Sequence, residues 1–180
     1  KKIYLDELDR TKKEMDEIIE TEGFLKARFK ILSLLTKLRQ ICIDPKIVYE
    51  NYKDGSVKID ELLKTIEVSI YEKHKILIFT SFLGAIDIVS SELKNKNIKY
   101  YIIDGSVSSI DRQRRVDEFN NSKNPCVFLI SLKAGGTGLN LTSSDIVIHL
   151  DMWWNPQVEN QAIDRAHRIG QTNNVTVIKL

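Results

Sequence analysis

The chain has 180 residues, of which 42% are hydrophobic and 29% charged, and its net charge is +2. This composition is typical of a folded globular protein and excludes a disordered one. No apolar run approaches the roughly 18–20 residues of a membrane span, so we expect no membrane partner. Cys42 and Cys126 lie far apart, with no histidine at metal-ligand spacing, so we expect two free thiols and no metal site.

The first third of the chain is predicted to be helical. Residues 3–21 and 28–41 carry apolar side chains at helical spacing, and the second helix is expected to end before Asp44-Pro45. A turn at 53–56 follows, with Ser56 as the expected N-cap of a helix over 58–73. We therefore predict a helical lead-in over 1–55 and a separate domain over 56–180.

From residue 75 onward, short apolar strands alternate with helices. This alternation predicts an α/β fold, a doubly wound parallel sheet with helices on both faces, preceded by the N-terminal helical extension. Ligands of such sheets bind at the carboxyl ends of the strands. The predicted strands are 75–79, 100–103, 126–130, 146–150 and 175–178, and the predicted helices between them are 83–95, 109–120 and 157–167.

A glycine-rich segment follows the third strand. Three of the eight glycines lie within 135–138, after Ser131 and Lys133. Backbone N–H groups in such a segment can bind a phosphate, although a tight turn is the alternative. The segment is not a P-loop, because no GxxxxGK[ST] pattern occurs in the chain.

Polar residues also follow the first two strands. Thr80 and Ser81 carry hydroxyls that can bind either a phosphate or the free N–H groups of the next helix. Gly105 and Ser106 form a second turn with N–H groups expected to be exposed. The arginines at 112–115 are expected to form ordinary ion pairs on a solvated helix.

The last segment contains both tryptophans and an arginine pair. Asn155 is expected to cap a helix that begins near Pro156, and at least one of Trp153 and Trp154 is expected to face a partner surface. On that helix Gln161, Arg165 and Arg168 share one face, which predicts a clamp for phosphate oxygens. An ion pair between Asp164 and Arg168 is the alternative.

A phosphate clamp without a P-loop predicts half of a composite active site. We also expect the chain to be a segment of a longer protein, because it lacks an initial Met and its last residue, Leu180, lies within a predicted strand. No signal peptide is expected at Lys1-Lys2-Ile3-Tyr4.

Taken in order, these motifs resemble the second lobe of superfamily 2 helicases. Trp153-Trp154-Asn155-Pro156 and Arg165-Ala166-His167-Arg168-Ile169-Gly170-Gln171 resemble the Swi/Snf family of DNA translocases in particular. Residues 38–45 resemble the helical element that precedes this lobe. The chain departs from the family at Thr80-Ser81, where Ser-Gln is common.

The resemblance implies a RecA-like C-terminal lobe, truncated at its end, that works opposite a first lobe holding ATP and Mg²⁺. Arg165 and Arg168 would be arginine fingers, with Gln161 and Gly138 facing the nucleotide. Trp153, Trp154 and Asn155 would couple DNA contact to the ATP site. The implied contacts with the DNA backbone are Ser81, Gly105, Ser106, Ser131, Lys133, Gly135, Gly136, Thr137 and Asn140.

By this resemblance the complete protein is a double-stranded-DNA-stimulated ATPase that remodels protein–DNA complexes, and the isolated lobe is inactive. Its partners would be duplex DNA, the first lobe and a DNA-bound protein such as RNA polymerase or a nucleoid protein. It would act in the cytoplasm at the nucleoid in a prokaryote, or in the nucleus of a eukaryote. Two alternatives stay open: a strand-separating superfamily 2 helicase, and a non-catalytic nucleic-acid-binding or scaffold module.

Overall fold

The computed structural model describes residues 2–135, 139–152, 157 and 174–180, with residues 25 and 26 as backbone only. The chain forms two compact units, one up to Lys58 and one from Ile59 onward. The first is called the helical unit and the second the sheet unit.

The helical unit is built on two long helices. α1 (Lys2–Glu22) and α2 (Phe24–Ile43) pack against each other, and a short 3-10 helix (Pro45–Ile47) follows. Gly23 alone separates them, with a φ of 74° that favours glycine. Because one residue makes the connection, α2 begins four residues before the predicted position. Ile18, Ala27 and Ile31 form a buried cluster in this unit.

A buried carboxylate links three parts of the helical unit. Glu7 of α1 accepts hydrogen bonds from Arg10 Nη2 at 2.6 Å and from Tyr49 Oη at 2.5 Å. Lys37 Nζ of α2 lies 2.8 Å from the same carboxylate. Burial opposes ionisation of Glu7, but these donors outweigh it and lower the pKa of Glu7 from 4.5 to about 2.

The helices and strands that follow the helical unit are α3 (Val57–Tyr71), β1 (Ile76–Thr80), α4 (Leu83–Asn95), β2 (Tyr100–Ile103), α5 (Ser109–Asn121), β3 (Val127–Ser131), α6 (Leu132–Gly135), β4 (Ile146–His149) and β5 (Thr176–Lys179). Ser56, directly before α3, donates from its hydroxyl to the carbonyl oxygen of Ile43. The five strands form one sheet in the order β2-β3-β1-β4-β5, and every pairing is parallel. The predicted doubly wound parallel sheet is therefore confirmed.

Helices cover both faces of this sheet. On one face, alternate strand residues pack with Val116 and Phe119 of α5. α4 contacts β1, β2 and β3, and its buried residues lie outside that cluster, so it covers the other face. Every residue of β1, β3 and β4 is buried. Burial on both faces of the sheet explains why these strands are continuous apolar runs in the sequence.

The segment after β3 differs from the prediction. Residues 132–135 form the short helix α6. The residues directly after β3 are therefore helical, whereas the sequence predicted a glycine-rich loop. β3 itself is shifted by one residue, to Val127–Ser131. Of the helix predicted over 157–167, only residue 157 is described, and it is helical.

Candidate functional site

Four strand ends meet at one edge of the sheet unit. Because the strands are parallel, β2, β3, β1 and β4 all end on the same side, and Thr80 is level with Ser131 across β1 and β3. The residues at or just after these ends are polar: Ser106 after β2, Ser131 on β3, Ser81 after β1 and Asp151 after β4. The predicted motifs at Ser81, Ser106 and Ser131 are thus brought to one edge.

Asp151 joins the ends of β1 and β4. Its Oδ1 accepts from Thr80 Oγ1 at 2.6 Å and from the Ser81 amide at 2.9 Å, and its Oδ2 accepts from Ser81 Oγ at 2.6 Å. Asp151 is only 5% exposed. The two hydroxyls after the first strand are therefore bound to a carboxylate. The amide of Phe82 additionally donates to Thr80 Oγ1 at 3.3 Å. Phe82 is the N-cap residue of α4 and no side chain caps that helix, so the capping alternative is not confirmed.

Asp104 organises the turn after β2. Its Oδ1 accepts from the Ser106 amide at 2.8 Å and from Ser106 Oγ at 2.6 Å. These bonds from Ser106 lower the pKa of Asp104. The Ser106 amide, expected to be exposed for a ligand, therefore points to Asp104. At Gly105 an added Cβ would meet no atom within 4 Å, so packing within the described residues does not demand glycine there.

The end of β3 presents one exposed cation. The Ser131 side chain is only 3% exposed, so its hydroxyl lies inside the protein. Lys133, two residues later on α6, is exposed. Gly135 ends α6. Among these three predicted contacts, Lys133 is the one that offers a charged donor to solvent.

Asn140 lies away from the other predicted contacts. Its carbonyl oxygen accepts from Asn120 Nδ2 at 2.8 Å, near the end of α5. The Asn120 carbonyl in turn accepts from Nζ of Lys75, which directly precedes β1. The bonds connect Asn140 to the amino ends of the strands, whereas Ser81 and Ser131 lie at the carboxyl ends.

The remaining predicted site residues lie outside the described part of the chain. They are Gly136, Thr137, Gly138, Trp153, Trp154, Asn155, Gln161, Arg165 and Arg168. Their roles stay predictions.

Two arginines of α5 donate to backbone carbonyl oxygens, which the sequence did not predict. Arg114 does pair with Asp111, at 2.8 Å. Arg112 donates to the carbonyl oxygens of Asp104 and Val107, and Arg115 to that of Ile102. Both therefore support β2 and its turn. The sequence spacing of these arginines could not predict the bonds, because the acceptors are backbone carbonyl oxygens that the crossover from β2 to β3 brings close.

The described ranges contain neither a cluster of metal ligands nor a membrane-spanning helix. No three or more His, Cys, Asp or Glu side chains come together there as a metal site would require. No helix in the same ranges has the length and apolar character to cross a membrane.

Family comparison agrees with the fold. Residues 57–170 match the model of the helicase conserved C-terminal domain. The chain is 44% identical over 179 residues, 99% of its length, to an uncharacterized ATP-dependent helicase of Mycoplasma pneumoniae. It spans 17% of that relative's length.

Solved structures give the same picture. The Sulfolobus solfataricus SWI2/SNF2 ATPase C-terminal domain matches with a TM-score of 0.78 and 31% identity, over 99% of this chain and 72% of that one. The Sulfolobus solfataricus SWI2/SNF2 ATPase core in complex with dsDNA matches with a TM-score of 0.82 and 33% identity, over 99% of this chain and 37% of that one. The chain therefore belongs to the helicase C-terminal domain family, as a RecA-like C-terminal lobe of the Swi2/Snf2 type.

Proposed function

We propose that this chain is the C-terminal motor lobe of a double-stranded-DNA-stimulated ATPase that moves along duplex DNA and remodels protein–DNA complexes. The observation that carries the proposal is the shared edge of four strand ends in a fold that matches a SWI2/SNF2 core in complex with dsDNA. Ligands of open α/β sheets bind at this edge. DNA-bound proteins, such as RNA polymerase or a nucleoid protein, are the proposed targets.

The active site in this proposal is shared between two lobes. The 180 residues contain no GxxxxGK[ST] pattern, so we assign ATP and Mg²⁺ mainly to a first RecA-like lobe of the complete protein. This lobe would contribute Arg165 and Arg168 to the phosphates, with Gln161 and Gly138 facing the nucleotide. Planar guanidinium groups fit phosphate oxygens in a bidentate manner. Bound ATP supplies the free energy for movement.

Contact with DNA is proposed to be directed at phosphates. A translocase must step without regard to sequence, and backbone contacts carry no sequence information. Lys133 is exposed beside the strand ends and is the described residue best suited to this contact. At Gly105, after β2, an added Cβ would meet no atom within 4 Å, which leaves room for a DNA backbone. Trp153, Trp154 and Asn155 would couple this contact to the nucleotide.

The test compares nucleic acids as activators of the complete protein. We expect duplex DNA to stimulate ATP hydrolysis more than single-stranded DNA or RNA, and the isolated 180 residues to hydrolyse no ATP. Stronger stimulation by single strands would support a strand-separating helicase instead. No hydrolysis by the complete protein would support a non-catalytic module, and turnover by the isolated chain would contradict the shared site.

A matched pair of lysine variants tests the DNA contact. Lys133→Ala should weaken duplex binding a few-fold and lower the slope of log affinity against log salt by about 1. Lys64→Ala removes an equally charged, exposed side chain from α3, where Lys64 lies 3.8 Å from Glu61, and should leave DNA affinity unchanged. Equal effects of the two variants would reject Lys133 as a contact.

A further inference from the structure

The carboxylate of Asp151 accepts three hydrogen bonds at the carboxyl edge of the sheet. Both of its oxygens accept bonds from the end of the neighbouring strand, two from hydroxyls at 2.6 Å and one from an amide at 2.9 Å. Burying a carboxylate is costly unless such bonds compensate for lost water. A buried carboxylate whose two oxygens both accept hydrogen bonds holds the donor groups in fixed positions.

The residues joined by Asp151 are far apart in sequence. Thr80 ends β1 and Ser81 follows it, whereas Asp151 lies two residues after β4, about 70 positions later. β1 and β4 are neighbours in the sheet, and Leu150 N donates to the Phe79 carbonyl one step before Asp151. The bonds of Asp151 therefore extend the pairing of β1 and β4 beyond the strands themselves.

These bonds also limit what the two hydroxyls can do. A hydroxyl has a single proton, and those of Thr80 and Ser81 are directed to Asp151. Neither can donate to a phosphate oxygen while its bond to Asp151 stands. Direct DNA contact is therefore a poor account of Ser81, and a positioning function is a better one.

We propose that Thr80, Ser81 and Asp151 are positioning residues that fix where the chain leaves β4. The residues that follow at once are Met152, Trp153, Trp154 and Asn155, the segment assigned above to coupling. The cluster fixes Asp151, the residue from which that segment starts, against the end of β1. The role of these residues in coupling rests on the proposed function. Their hydrogen bonds to one another do not depend on it.

The first test uses the position of the tryptophans. Trp153 and Trp154 are the two tryptophans of the 180 residues, so intrinsic fluorescence of this chain reports on the segment after Asp151. Asp151→Asn replaces one acceptor oxygen by a donor facing Ser81, and Ser81→Ala removes one bond with little loss of volume. We expect both variants to change the acrylamide quenching constant of the folded chain, with the larger change in Asp151→Asn.

Two controls separate positioning from loss of stability. Asp104→Asn alters the matching carboxylate after β2, which also accepts from a serine amide and hydroxyl, and should leave tryptophan quenching unchanged. Val89→Ala lowers stability from within α4 and should likewise leave quenching in the folded state unchanged. Wild-type quenching in both Asp151→Asn and Ser81→Ala, or an equal change in Val89→Ala, would overturn the inference.

The second test uses the complete protein. If the coupling segment is mispositioned, Asp151→Asn should lower the DNA-stimulated kcat about 10- to 100-fold while duplex affinity stays near that of the wild type. Unchanged kcat together with altered quenching would reject the link to coupling. If the wild-type protein itself shows no DNA-stimulated hydrolysis, the proposed function fails, while the fluorescence result still decides whether Asp151 positions the segment.

Discussion

The apolar cores of the sheet unit and the helical unit differ in size and composition. In the sheet unit, Tyr101, Phe119 and Phe128 form an aromatic cluster with ring centroids 5.1–6.1 Å apart, inside a sheet whose central strands are completely buried. In the helical unit, the small apolar cluster is accompanied by the buried carboxylate of Glu7 and its three donors.

This difference has consequences for stability. Apolar burial scales with the area removed from water and does not depend on protonation. A buried carboxylate stabilises a fold only while it is charged and its donors are present. We therefore expect the aromatic core of the sheet unit to respond mainly to loss of volume, and the Glu7 cluster of the helical unit to respond to pH and to loss of charge.

The largest expected difference is in thiol reactivity, because each unit contains one cysteine. Cys42 is exposed, whereas Cys126 is completely buried. Burial raises the pKa of both thiols, so the expected difference in rate comes from access to the sulfur. Cys42 should react with a thiol reagent at once. Cys126 should react at least about 1000-fold more slowly, because it requires opening of the sheet unit. Mass spectrometry of labelled peptides measures both rates, and comparable rates would contradict the packing described here.

The next largest effect is expected from Phe119→Ala. Phe119 is completely buried between Tyr101 and Phe128, so its truncation leaves a cavity and should cost about 3–5 kcal/mol of unfolding free energy. Ile110→Ala is the matched control, since Ile110 lies on the same helix but is 82% exposed and should change stability little. Urea unfolding followed by Cys126 labelling measures both, and a loss below about 1 kcal/mol for Phe119→Ala would be inconsistent with this core.

A smaller, pH-dependent effect is expected from Glu7→Gln. At neutral pH the variant removes the charge that Lys37 and Arg10 bind. Because both cations are partly exposed, we expect it to destabilise the helical unit by about 1.5–2 kcal/mol. The folded pKa of Glu7 is about 2 against an ordinary 4.5. Its contribution is therefore complete above pH 4.5 and is lost as pH falls toward 2. Hydrogen exchange of α1 and α2 amides should show the two proteins converging over that range.

Glu14→Gln is the control for this pH dependence. Glu14 also pairs with Arg10, at 3.6 Å, but its side chain is exposed, and exposed pairs contribute little. We expect almost no change in exchange at any pH. A difference between Glu7→Gln and wild type that is the same at pH 7 and pH 2 would show that the charge of Glu7 is not what stabilises the helices.

Much of the fold could be predicted because both units follow simple periodic rules. β2 and α4 begin and end where the apolar pattern placed them. The strands β1, β3 and β4 were recognisable because strands buried on both faces are continuous apolar runs. The start of α2 was missed because a single glycine made the connection, where a longer loop was expected. α6 was missed because Gly135 and the glycines after it favoured a loop.

The site was predictable in position but not in bonding. A polar residue after an apolar strand lies at the carboxyl edge in any parallel sheet, so Ser81 and Ser106 could be placed from sequence. The bonds to Asp151 could not, because they depend on β4 lying beside β1, and chain order does not give sheet order. A carboxylate directly after a buried strand was the available signal. Asn140 could not be placed either, since its position depends on the path of the chain after α6.

ATP hydrolysis by arginine variants of the complete protein tests the shared active site most directly. Arg165→Ala and Arg168→Ala should each lower kcat by about 10³- to 10⁵-fold while duplex binding is retained. Arg114→Ala, which removes an exposed arginine paired with Asp111, should hydrolyse ATP as the wild type does. Wild-type turnover in either Arg165→Ala or Arg168→Ala would contradict the proposal that this lobe completes the site.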